Sequence, residues 1–443
     1  MNLRMRFVES WGRLDMKYDW KEYTVQELID LDMLEKPLDG NHGSIHPKTS
    51  DYVPAGVPFI MANNLIGGSV DLKNCAFITE KQAATLRKGF AKPGDVLITH
   101  KATIGRTAIV PNTYETIILT PQVTYYRVKK GIDNRFLKYY FDSPDFQATL
   151  NNWAGAGSTR AYLGITAQHK LPVVLPPLDE QKKIANLLGG IDEKIENNDE
   201  INNNLEEQAV VLFRSWFSAF SLSPNSPRIN SEFGEIPEDF TVVKVGSLPM
   251  LVTDYVANGS FASLKANVNL YQEPNYAYFI RNTDLKSGSF GVFVDQHSYE
   301  FLSKSTLYGG EIIISNVGDV GSVFLCPKLD GRMTLGNNII MLKPEDNHLR
   351  YYLYIWFKYL QGQALIQGIK GGSAQPKFNK TDFKNTSVLI PPKDILTRFH
   401  ETVAPMFETI SQRQTETSRL VDLRDTLLSQ LMSGKIDVSN LDR

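Results

Sequence analysis

The chain is written twice. At an offset of 220, WKEYTVQEL of residues 20–28 lies over FTVVKVGSL of residues 240–248, and FIMANNL of residues 59–65 lies over FIRNTDL of residues 279–285. At an offset of 216, PGDVLITHKATIG of residues 93–105 lies over GGEIIISNVGDVG of residues 309–321, with Pro111 and Pro327 closing each unit. The shared pattern is a Gly turn, an acidic residue, a β-branched strand and a polar loop ending in Gly. At an offset of 215, Ser158 lies over Ser373, and LPP of residues 175–177 over IPP of residues 390–392. Self-similarity on this scale means that one architectural plan is used twice.

Each half reads as a strand-rich domain of about 150 residues, closed by a Pro-Pro pair and followed by one long helix. Steps of four and three from Ile184 pick out Leu188, Ile191, Ile195, Asn198, Asn202, Leu205, Ala209, Leu212 and Trp216, a coiled-coil seam. Adding 215 to each gives Phe399, Val403, Met406, Ile410, Arg413, Thr417, Leu420, Arg424, Leu427 and Leu431, the same seam again. Both turn polar at the same central level, so the helices are expected to pair with each other, Asn198 level with Thr417 and Asn202 with Arg413. The expected fold is α+β: two pseudo-repeated strand-rich domains at opposite ends of an antiparallel coiled coil of two long helices. Its rod, at 1.5 Å per residue, is roughly 50 Å long. The expected boundaries are a first domain over 1–178, a first helix over 179–220, a surface linker over 221–239, a second domain over 240–392, a second helix over 393–433 and a tail over 434–443.

Composition narrows the function. With 443 residues, 42% hydrophobic and 22% charged, the chain is an ordinary globular protein of several cores. It has no apolar run of spanning length and no signal-peptide core near its charged N-terminus, so a cytoplasmic protein without a membrane role is expected. Cys75 and Cys326 have no CxxC or histidine neighbour at ligand spacing, which leaves a zinc site or disulfide framework unsupported. The net charge of −2 hides an asymmetry: residues 60–170 carry about 14 Lys/Arg against about 7 Asp/Glu, and residues 179–217 about 4 against about 9. A basic globule is followed by an acidic helix.

Enzyme readings lack residues. WAGAG of residues 153–157 holds a lone Gly-x-Gly, a weak nucleotide signal. Both Pro-Pro pairs follow aliphatic residues, unlike an adenine-methyltransferase motif. EQK of residues 180–182 imitates a nuclease metal element, but Asp179 and Glu180 open a helix, where carboxylates cap free amides and favour the dipole. There is no HExxH and no GxxxxGK[ST]. A duplicated structural or carbohydrate-binding scaffold is the remaining alternative, and salt-dependent binding to random duplex DNA separates it from a DNA reader.

The run LPPLDEQKKI of residues 175–184, preceded by GSTR of residues 157–160 and followed by a long helix, resembles the conserved region of type I restriction-modification specificity subunits. A weaker copy, GGSAQ of residues 371–375 followed by IPPKD of residues 390–394, has Ile395 and Leu396 where the family pattern has Glu-Gln. The resemblance covers about residue 20 to about residue 433. It implies two target-recognition domains, each reading one half of an interrupted double-stranded DNA sequence. It also implies partners: two methyltransferase subunits using S-adenosylmethionine, and motor-nuclease subunits using ATP and Mg²⁺. On this reading the chain is non-catalytic and binds no cofactor itself.

Sequence readers need phosphate anchors and planar side chains that reach base edges. Three loops per half offer them. The first holds Asn63 and Asn64, matched by Arg281, Asn282 and Asp284. The second holds Lys101, Thr103 and Arg106, matched by Asn316 and Asp319. The third, rich in Gly, holds Ser158, Thr159 and Arg160, matched by Lys370, Ser373, Gln375 and Lys377. Arg160 and Lys377 are the strongest single candidates. The loops differ while their frames agree, so two different half-sites are expected.

Overall fold

The computed structural model describes residues 20–155, 161–372 and 375–438. It divides into two compact units, residues 1–193 with 421–443, and residues 194–420. Each unit therefore takes one globular domain and a part of both long helices.

In the first unit, strands Leu38–Asp39, Val123–Tyr126, Val96–Lys101 and Thr103–Ile109 form one antiparallel sheet in that order. A second sheet runs Ala76–Ile78, Val57–Ile60, Ile117–Leu119 and Phe90–Ala91, its central pair parallel. The strand Val96–Lys101 shows why. Val96 and Ile98 point to a core shared with Phe136, Leu137 and Phe141, while Leu97 points to another shared with Ala108, Leu119 and Val123. Alternation at period two thus buries both faces of one strand, one under a helix and one under the other sheet. That helix, Asn134–Asp142, starts where the Asp133 carboxylate accepts from the amides of Arg135 and Phe136 at 3.0 Å each. The next, Pro144–Trp153, starts on Ser143 with Pro at its first position.

The second unit repeats the plan. Strand Ile312–Ser315 splits the same way, Ile312 and Ile314 to the helix side and Ile313 to the sheet side. Its parallel pair is Ala277–Ile280 with Arg332–Leu335. In both units a two-stranded antiparallel ribbon closes the domain just before the long helix: Lys21–Thr24 with Pro172–Leu175, and Thr241–Lys244 with Ser387–Ile390. The stretch expected to be a plain linker contains a hairpin, Arg228–Ser231 with Gly234–Pro237, whose Ile236 is buried and whose Phe233 packs edge-on to Trp356 at 5.3 Å.

The long helices span Leu178–Phe213 and Lys393–Met432. Pro405 lies inside the second; it is exposed, two positions from the seam residue Val403, and removes one helical hydrogen bond without disturbing the buried face. The helices pair antiparallel within each unit. In the first, Ile184, Ala185 and Leu188 share a core with Leu428, Leu431 and Met432, and Arg424 Nη1 donates to Asp192 at 3.0 Å. In the second, Phe217 packs on Phe399 at 4.9 Å, while Asn198, fifteen or more residues earlier, meets Arg413, Glu416 and Thr417.

The polar centre of the seam differs in one respect from expectation. Asn198 is fully buried and carries the whole layer: Nδ2 donates to Glu416 at 2.9 Å and Thr417 at 3.4 Å, and Oδ1 accepts from Arg413 at 2.8 Å. Asn198 is level with Thr417 as expected, but Arg413 also reaches Asn198 rather than Asn202. A guanidinium is long enough to reach across a turn, and Asn202 Oδ1 is left buried without a partner among the described residues.

Among the described residues no helix is long and apolar enough to cross a membrane.

Candidate nucleic-acid interface

In the first unit the strand pair Val96–Lys101 and Thr103–Ile109 turns on Ala102, a non-glycine residue at φ 65°. Such a left-handed residue is costly unless its surroundings hold it. Here the Ala102 amide donates to Ala161 O at 3.1 Å, and Lys101 forms an isolated bridge with Tyr162. The tip of the hairpin is therefore tied to the segment that follows the Gly-rich loop. The Leu65–Ile66 and Ser69–Val70 ribbon packs on strand Thr103–Ile109. Two of the candidate loops of this unit and the segment that follows the third meet at one edge.

Along that edge Asn63, Lys101, Thr103 and Arg106 are exposed. Lys101 lies 6.0 Å from the ring of Tyr162, and Arg106 has no side-chain partner among the described residues. Asn64 is different: it is 3% exposed, its Oδ1 accepts from the Met61 amide at 2.9 Å, and it shapes the loop from within. Asp284, which lies 220 positions on, does the same for the Arg281 amide at 2.9 Å. A carboxylate in that place also takes the Arg281 guanidinium, Nε at 3.0 Å and Nη2 at 2.6 Å, which holds the guanidinium of Arg281 above its ordinary pKa. The side chains of Asn64 and Arg281 thus bond within their own loops, Asn64 buried and Arg281 partly exposed.

In the second unit the same three loops join. Gly318 N donates to Pro376 O at 2.9 Å, Val317 bridges Lys377, and Asn282 Nδ2 approaches Asp319 at 3.5 Å. Asp319 also takes Lys286 and Ser322 at 2.5 Å each, and these bonds, the lysine's foremost, hold its carboxyl below the usual range. Lys370, Gln375 and Lys377 are exposed, and Lys370 Nζ lies 3.3 Å from Gln367. Ser158, Thr159, Arg160 and Ser373 lie outside the described residues.

Two groups escaped the sequence reading. Tyr162, half exposed, takes the position of Lys377: one bridges Lys101 and the other Val317, in strict register with the repeat. The offset of 215 carries Lys377 back to Tyr162, not to Arg160. The second group centres on Asp39, 2% exposed, which accepts from Lys88 Nζ and lies 2.9 Å from His42 Nε2 and 4.0 Å from His100 Nε2. Burial alone would raise its pKa; the bonds from Lys88 and His42 outweigh that and leave it below the ordinary carboxylate value. His42 is three residues from Asp39, whereas the sheet brings His100 near and the bonds of Asn41 to Arg87 N and Lys88 O bring Lys88.

Two residues of the enzyme-like patterns have tasks in their helices. Gly155, at φ 71°, follows the C-terminus of helix Pro144–Trp153 and donates to Asn152 O, the task of a helix stop. Glu180 lies in the first turn of its helix and accepts from Trp20 Nε1 at 3.1 Å.

A family model described as the type I restriction modification DNA specificity domain matches residues 17–207 and again residues 237–418. The type I restriction enzyme MjaIX specificity subunit of Methanocaldococcus jannaschii is 28% identical over 377 residues, covering 82% of each chain. The HindI specificity subunit of Haemophilus influenzae is 25% identical over 323 residues, 60% of this chain and 69% of its own. In fold, the chain is similar to the crystal structure of a type I restriction-modification S subunit from M. genitalium, with a TM-score of 0.53 at 16% identity over 95% of this chain and 97% of that one.

Proposed function

Because the chain belongs to the family of type I restriction modification DNA specificity domains and carries that domain twice, we propose that it reads a two-part sequence in double-stranded DNA, one part per domain. The observation that carries this reading is the pair of loop edges. They share backbone construction down to the Lys101 to Tyr162 and Val317 to Lys377 bridges, yet present different side chains. A common frame with divergent tips is what two readers of different sequences require. Lys101, Thr103, Arg106 and Tyr162, with Ser158, Thr159 and Arg160, serve the first part. Asn282, Lys370, Ser373, Gln375 and Lys377 serve the second.

On this reading the chain directs two methyltransferase subunits and motor-nuclease subunits in the cytoplasm to their DNA. S-adenosylmethionine, ATP and Mg²⁺ belong to those partners, and this chain contributes position and specificity. Sequencing methylated positions in host DNA, with and without the gene, tests it. An interrupted motif that disappears with the gene supports the reading; an unchanged methylation pattern together with no retention of duplex DNA by the purified chain overturns it.

A further inference from the structure

We propose that His100 and Asn316 are positioning residues, each fastening the recognition loop of its domain to the end of the central strand; this rests on the reading of the chain as a DNA reader. The repeat places one over the other, and the structure gives them the same bonds. His100 N donates to Gln122 O at 3.0 Å and Asn316 N to Asn338 O at 3.1 Å, which fixes both strand ends. His100 O accepts from Leu163 N at 3.0 Å, and Asn316 O from Phe378 N at 3.0 Å. The side chains then close the same ring from the other side: His100 Nδ1 meets Leu163 O at 3.0 Å, and Asn316 Nδ2 meets Phe378 O at 3.3 Å.

A carbonyl only accepts, so His100 carries its proton on Nδ1. A neutral imidazole in that tautomer and a carboxamide both offer an N–H on an atom bonded to Cγ together with one acceptor, which in His lies one bond farther out. In both halves that acceptor, His100 Nε2 or Asn316 Oδ1, is buried with no partner among the described residues. A buried polar atom left unpaired is costly, and an apolar residue would avoid it. Its presence at the same place in both halves points to the N–H as the group the site needs. One residue before the latched carbonyl stand Tyr162 and Lys377, both exposed on the reading edge. The latches are unequal: Leu163 O also accepts from Gln168 Nε2 at 3.0 Å, whereas Phe378 O has only Asn316 among the described residues.

The test is selection from randomised duplex DNA by the full-length chain, as wild type and as His100→Ala, His100→Gln, His100→Asn and Asn316→Ala, with thermal midpoints measured beside it. The wild type is expected to select a two-part motif. His100→Ala should lower sequence preference in one part on the order of tenfold and Asn316→Ala in the other part by more, with both variants still folded at midpoints lowered by the carbonyl each leaves unpaired. His100→Gln keeps an amide but moves it one methylene outward, so it should behave like Ala; His100→Asn should restore the motif. Sharp preference in both parts for both Ala variants, equal blurring of both parts by either one, or failure of Asn to restore it would overturn the latch while leaving the DNA reading intact. A wild-type chain that selects no motif overturns the DNA reading and the latch's role with it.

Discussion

The two places where a domain meets its long helix solve one problem with opposite chemistry. In the first half Gln181 is buried at 1% exposure; its Oε1 accepts from the Asp133 amide at 2.9 Å, and its Nε2 donates to Gly131 O at 3.0 Å and Pro176 O at 2.9 Å. In the second half the same position, 215 residues on, is Leu396, with Ile395 beside it, both packed in the large apolar core. One junction is a polar latch that demands its partners, the other a greasy contact that demands only volume. The comparison teaches that a sequence motif and its structural task separate easily: the Glu-Gln pair is missing from the second half because hydrophobic packing replaces its bonds.

Exchanging the two chemistries should give the largest effects. Gln181→Leu strands an amide and two carbonyls, at a cost of about 3 kcal/mol to the first domain. Leu396→Gln puts an amide into an apolar core, with a cost of about 2 kcal/mol to the second. Denaturant unfolding followed separately for the two domains checks both. Tolerance of Gln181→Leu would mean that the latch is ornamental.

Much of this architecture was legible beforehand. Repeat register, seam positions and helix starts are local patterns, and the Asn198 to Thr417 level followed from pairing two such patterns head to tail. What was not legible depends on who faces whom. Asn64 reads as a loop amide, yet turns inward to bond a backbone amide three residues back. Gln181 sits beside two acids in the first turn of the helix, Asp179 exposed and Glu180 half-buried, and nothing local distinguishes it. The hairpin at residues 228–237 was hidden because its turn-rich composition matches that of a linker, while its anchoring contact, Phe233 on Trp356, spans more than a hundred residues. Tyr162 was legible and passed over: the repeat assigns it to Lys377, but an aromatic does not look like the counterpart of a lysine.

A smaller effect tests the polar centre of the paired helices. Asn198→Leu alone removes the acceptor of Arg413 and should cost about 2 kcal/mol, because it leaves a half-buried guanidinium short of a bond. Replacing Asn198, Asn202, Arg413 and Thr417 together by Leu should leave the helices as stable as wild type or more so. Chemical denaturation of the two variants decides, and a quadruple variant less stable than the single one would contradict the account.

Smaller still is the contrast between Tyr162 and Lys377. Each change to Ala should weaken DNA binding by about 1 kcal/mol, but only Lys377→Ala should reduce the salt dependence, by about one unit in the slope of log affinity against log salt. Titrations at several salt concentrations separate them, and identical slopes would show that the lysine does not meet a phosphate.

The weakest expected contrast is with pH, and its sign follows from burial. His100 is nearly inaccessible, and burial pushes its imidazole below the ordinary value, only partly opposed by the Asp39 carboxylate 4.0 Å away and by the bond to Leu163 O. His42 and Lys101 act in the same direction as burial. The folded first domain therefore binds fewer protons than the unfolded chain once the pH drops through about 6.5, the ordinary histidine value, and its stability falls with further acidification. Asp39, held below the ordinary carboxylate value, contributes stability that persists until lower pH and does not offset this loss. Asn316, in the same place in the second domain, has no proton to gain. Stability of the first domain should therefore fall between pH 7 and pH 5.5 more in wild type than in His100→Asn, with the second domain unchanged by that substitution. Parallel denaturant curves at the two pH values measure it. Equal slopes for wild type and His100→Asn would mean that the imidazole gains its proton as freely in the folded domain as in water, and that the latch carbonyl does not depend on which side chain holds it.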